Sequence, residues 1–107
     1  MNTYRNPSLY VVLTLFLVSL NGIAQQVHYT NAGYIAARTE ELLDQAMEIV
    51  ASGDKEAFGN FVKENYPDII VLKADLPVYL VEVGFTKVKI RFKGKTLQMW
   101  TLREAIR

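Results

Sequence analysis

No cysteine occurs among the 107 residues, and that one absence removes several chemistries together. It excludes disulfides, thiolate metal sites, a cysteine nucleophile and a lipid anchor carried on cysteine. Small exported domains often staple themselves because they bury too little surface. This chain must hold by packing alone or with a partner's help. Histidine is nearly as scarce. His28 is the only imidazole, and one histidine without cysteine cannot fill a nitrogen–sulfur zinc site. Beyond residue 24 the only serine is Ser52, beside Gly53, where serine is ordinary turn chemistry. No nucleophile with a base and an orienting partner can be assembled from these. Gly84 and Gly94 are isolated turn glycines rather than a phosphate-cradling loop. The reading is therefore of a non-enzymatic protein with no catalytic residues, no cofactor and no metal.

What is present starts with an apolar N-terminus. Arg5 lies in a short leading region, followed by the run Leu9 to Leu20 and by small residues at Gly22 and Ala24. That is the tripartite pattern of a secretory signal peptide, residues 1–24, cut between Ala24 and Gln25. The run is short against the roughly 20 residues a spanning helix needs, so no stable membrane span is expected after cleavage. The expected location is the periplasm or the exterior of a bacterium.

The remaining chain divides by charge. From Gln25 to Asp68 there are eight acidic residues against three basic, and from Ile69 to Arg107 eight basic against three acidic. Oppositely charged halves can dock on each other or offer partners two faces of opposite sign. In the acidic half, Ile35, Leu42, Leu43, Ala46, Ile49 and Val50 recur at three and four, predicting a helix over 32–52 capped by Thr30 or Asn31 and ended by Gly53. Asp54 caps a second helix with Phe58, Phe61, Val62 and Tyr66 on its apolar side, stopped by Pro67. Residues 25–68 thus read as a helical hairpin. Asp44 and Glu48, four apart, could pair for acid–base work. Opposite an apolar stripe they are read instead as the solvated face.

Strand signal fills residues 69–107. Ile69 to Leu72 is a continuous apolar run suited to a strand buried on both faces, and Val78 to Val83 is a second strand. Gly84-Phe85 fits a two-residue hairpin turn with glycine at the first central position. In Thr86 to Lys93, Val88, Ile90 and Phe92 alternate with Lys87, Lys89, Arg91 and Lys93, a strict period of two. Thr96 to Thr101 is a fourth strand, and Leu102 to Arg107 is helix-prone. Alternation sets the basic residues about 6.5–7 Å apart along one face. With Lys95, and with Phe85 and Trp100 as aromatic anchors, they form the candidate binding face. Such a row can track an anionic polymer. Lysine on the outer face of a strand also keeps an edge soluble, and the row could instead face the acidic helices. Tyr79 is a further aromatic available to a ligand groove.

The Val88-Lys89-Ile90-Arg91 strand, the Gly94 turn and Trp100 in the following strand resemble the bacterial SH3-like (SH3b-type) envelope domains. The resemblance is confined to the C-terminal half. It implies a small non-catalytic module recognising cell-wall material or partner proteins. The expected architecture is α+β: the signal peptide, the helical hairpin, and a small SH3-like β-barrel or strongly bent antiparallel sheet of four to five strands packed with the helices as one unit. An OB-like barrel is the alternative closure. The expected function is binding of an anionic envelope component, polymer or lipid rather than nucleic acid. The second reading is an accessory subunit of an exported complex, docking another exported protein through its acidic helices or a sheet edge.

Overall fold

A computed structural model describes residues 26–107. The expected signal peptide and its cleavage site lie outside the described residues. Six strands and two helices come in the order β1 (Val27–Tyr29), β2 (Ile35–Ala37), α1 (Glu40–Ser52), α2 (Lys55–Asn65), β3 (Ile69–Val71), β4 (Pro77–Val83), β5 (Lys87–Phe92) and β6 (Gln98–Leu102). A 3-10 turn at Arg103–Ala105 ends the chain.

The strands form one antiparallel sheet in the order β1-β4-β5-β6-β2-β3. It has six strands where four or five are expected, and it is not a closed barrel. The reason lies in β2. Ala36 and Ala37 pair with Thr101 and Trp100 of β6 on one side and with Ile70 and Ile69 of β3 on the other. The free edge of β6, which a barrel would return to β1, is thereby occupied.

Residues 32–37 are the second correction. The predicted first helix begins eight residues late, at Glu40, and its expected first turn is β2. Thr30 and Asn31 do not cap it. Thr39 is the cap, with its hydroxyl accepting from the Leu42 amide at 3.1 Å. Ala36 and Ala37 favour helices intrinsically, but propensity is a weak prior that packing overrides. Here both are fully buried between two neighbouring strands, Ala37 beneath the helices and Ala36 beneath the C-terminal turn on the other face. The remaining caps agree with the sequence. Gly53 closes α1 at φ 78°, a conformation glycine adopts without a Cβ penalty. Asp54 accepts from Ala57 at 2.9 Å to start α2.

Two further details depart from the sequence reading. The strand at 69–71 is a sheet edge, with Ile69 buried and Val71 exposed, rather than a strand covered on both faces. Gly84 does not take a positive φ and flanks the β4–β5 turn instead of occupying its first central position. Its requirement is space, because a Cβ there would stand 2.9 Å from the Lys87 carbonyl oxygen.

The sheet is covered differently on its two faces. Ile35, Ala37, Ile69 and Trp100 meet the apolar sides of α1 and α2 through Leu43, Ala46, Phe58 and Phe61. On the opposite face Ala36, Leu72 and Met99 pack against Ala105 of the C-terminal turn, and Val78, Val88 and Ile90 against Ile106. The tail is tied back to the start of the sheet by reciprocal backbone hydrogen bonds between Tyr29 and Arg107, both 2.9 Å. Thr30 fastens this junction: its hydroxyl donates to the Lys73 carbonyl at 2.6 Å and accepts from the Leu76 amide at 2.9 Å, fully buried.

Candidate functional site

The period-two alternation of β5 puts Lys87, Lys89 and Arg91 on the helix-bearing face, with Val88 and Ile90 in the core beneath. The register then gives each a different neighbour. Lys87 pairs with Leu102, Lys89 with Trp100 and Arg91 with Gln98 across β6, while Arg91 also lies opposite Tyr79 of β4.

Lys87 reaches the start of α1, where its ammonium stands 3.0 Å from Asp44 and 3.1 Å from Glu40. Hydrogen bonding to Asp44 first, and then to Glu40, holds its pKa above the ordinary lysine value. Its charge is spent on joining the oppositely charged halves.

Lys89 and Arg91 lean on aromatic rings. The Lys89 ammonium is 5.7 Å from the Trp100 ring centre, and the Arg91 guanidinium is 4.8 Å from that of Tyr79. Both distances lie within the roughly 6 Å over which a ring face attracts a cation. Arg91 also donates to the Lys95 carbonyl at 3.0 Å, which fixes one edge of its fork and leaves its other donors without a protein partner among the described residues. A shallow depression of about 510 Å³ beside Lys89 is lined by Arg38, Thr96, Leu97 and Gln98. Arg38 stands 3.8 Å from Asp68, with both side chains at least half exposed, a pairing too solvated to neutralise it.

The other candidate residues are elsewhere. Lys93 and Lys95 belong to the turn around Gly94 rather than to the strand row. Lys95 borders a different cleft, together with Lys73. Phe85 sits at the tip of the β4–β5 turn with 92% of its surface exposed. A depression of about 580 Å³ separates it from Leu102, Arg103 and Glu104. Trp100 is half-buried against the helices, with Lys89 over its ring.

Three members of this depression beside Lys89, namely Arg38, Thr96 and Gln98, carry no signal in the sequence. Arg38 falls within the segment predicted as helix. Only the pairing of Ala37 with Trp100 brings the residue after it beside Lys89. Among the described residues no group of three or more acidic, histidine or cysteine side chains is gathered as a metal site. No described helix is long and apolar enough to cross a membrane. Comparison with family profiles, with curated proteins and with solved structures gave no match.

Proposed function

We propose that this is an exported, non-catalytic binding protein that recognises an anionic envelope polymer through Lys89, Arg91 and Arg38. The observation carrying the reading is the position of Lys89 and Arg91: side by side, stacked on Trp100 and Tyr79, and without a carboxylate at salt-bridge distance among the described residues. Cations held on aromatic faces lose less freedom on meeting phosphate or carboxylate groups, and the arginine fork suits bidentate contact. Export rests on the Leu9–Leu20 run and the small residues at Gly22 and Ala24. The test is binding of the purified full chain to lipopolysaccharide, to anionic vesicles and to peptidoglycan, at low and high salt. Binding to lipopolysaccharide or to peptidoglycan at low salt, weakened by salt and lost in Lys89→Glu/Arg91→Glu, is the expected result. No binding at low salt would overturn it.

A second reading is favoured by one observation. β1 pairs only with Pro77 to Tyr79 of β4, so the outer edge of β4 continues without a partner past a bulge at Val81. Val81, Val83 and Phe85 there are 46%, 56% and 92% exposed. An exposed apolar edge is a template for pairing with another chain, which fits an accessory subunit docking an exported protein. Val83→Lys would break that association and leave polymer binding intact.

A further inference from the structure

At the β3 edge of the sheet, where Val62 and Tyr66 come over from the helix side, lies a second cleft with the opposite balance of surface. The register aligns Ile70 with Ala36, Thr101 and Val88, on the face turned away from Lys89 and Trp100. Because β3 ends the sheet on that side, Ile70 has no strand beyond it. Leu76, Phe92 and Leu97 complete an apolar floor, and Lys73 and Lys95 stand on it as the only charged residues of the lining. The cleft holds about 630 Å³, within the range of about 300–1,000 Å³ that small-ligand sites occupy.

Both lysines are held at the backbone. The Lys73 carbonyl accepts from buried Thr30 at 2.6 Å, and the Lys95 amide donates to Phe92 at 3.0 Å. Among the described residues neither ammonium has a carboxylate within salt-bridge distance. Two unneutralised cations over an apolar floor are complementary to an anionic head on an aliphatic tail. Strand addition by a peptide has too little edge here, because β3 is three residues long and Ile69 is fully buried.

We propose that this cleft binds a free single-chain anionic amphiphile. Its carboxylate or similar head lies between Lys73 and Lys95, and its chain runs over Leu76, Phe92 and Leu97. The site goes beyond the polymer reading and does not depend on it.

The test is titration of the full chain with dodecanoate below its micelle concentration, read by calorimetry and by amide chemical shifts. Dodecyltrimethylammonium shares the tail and butyrate the head. Saturable binding of one dodecanoate per chain is expected, with shifts concentrated at Ile70, Leu76, Phe92 and Leu97. Affinity should fall about tenfold or more for the cationic amphiphile, and likewise for Lys73→Glu/Lys95→Glu, a change on exposed side chains. Leu97→Asn, which leaves both lysines in place, should weaken the tail contribution similarly. Lys89→Glu, which leaves the Arg91 hydrogen bond to the Lys95 carbonyl in place, should bind dodecanoate like the parent even where it has lost polymer binding. Equal affinity for the cationic amphiphile, non-saturating uptake, shifts confined to other parts of the sheet, or indifference to the Lys73/Lys95 reversal would each overturn the proposal.

Discussion

Thr30 shows how much can hang on a single hydroxyl. It is fully buried, and it satisfies both a carbonyl and an amide of the segment joining β3 to β4. Thr30→Val keeps the shape and strands both backbone groups. Each buried unsatisfied group costs about 1–3 kcal/mol, so a loss of about 2–6 kcal/mol is expected in urea unfolding. Lys87 acts at the surface, and its contribution depends on pH. Its folded pKa is raised by Asp44 and Glu40, so the stabilisation is complete below the unfolded lysine value of about 10.4 and fades as pH rises through the folded one. Lys87→Met should therefore lower the urea midpoint near neutrality, and the gap to the parent should narrow in strongly alkaline buffer. An unchanged gap would mean that packing of the lysine stem, not its charge, holds α1 to β5. At this scale the sequence was informative about type and poor about partners. Alternation identified Lys87, Lys89 and Arg91 as one face, yet nothing along the chain separates the lysine that meets two carboxylates from the one that meets tryptophan. That difference is set by where α1 starts.

Among the elements, the two helices differ in quality. α1 carries fully buried Leu43 and Ala46, whereas no residue of α2 is fully buried, and α2 has Gly59 in its interior. Nothing lies within 4 Å of a Cβ placed on Gly59. Gly59→Ala is expected to raise stability by about 0.5–1 kcal/mol through helix propensity. Gly84→Ala should do the reverse, losing about 1–3 kcal/mol, because its Cβ meets the Lys87 carbonyl rather than open space. Thermal unfolding of the two variants side by side checks both signs. The C-terminal elements and the α2 cap were legible because their signals are local: alternation, an aspartate before a helical turn, a glycine after one. β1 and β2 were not. Three-residue strands are too short to display a period, and Ile35-Ala36-Ala37 shares the helical spacing of the α1 residues beyond it. A strand that small is stabilised by its neighbours, which lie 32 or more residues away along the chain.

At the level of the whole molecule, one sheet draws strands from both sides of residue 69. β6 needs β2 on its outer edge, and Trp100 and Ile69 need the helices above them. Residues 69–107 alone should consequently remain unfolded by circular dichroism and amide dispersion, although they contain four of the six strands. A folded fragment would show that β1, β2 and the helices are additions to an independent unit. The separation of charge along the chain also acquires a structural consequence. Part of the acidic helix surface is engaged by Lys87, and the basic surface is divided between two separate sites. Lys89 and Arg91 lie on the face of β5, and Lys73 and Lys95 border the cleft at the β3 edge. Salt should weaken polymer binding at the first more than amphiphile binding at the second, because the second also removes aliphatic surface from water.

The sequence by itself determined the mix of helices and antiparallel strands, the alternation that buries Val88 and Ile90 under a basic row, and the absence of thiol chemistry. These are properties of near neighbours and of composition. Tertiary structure alone decided that the sheet has six strands and stays open. It also decided that Arg38 joins Lys89, and that Lys95 leaves the row for a cleft shared with Lys73. The physical reason is common to all of these. Each depends on a pairing between segments distant in sequence, chiefly β2 inserted between β6 and β3. Such pairings are selected by the packing of the whole molecule rather than by any local preference of the residues that make them.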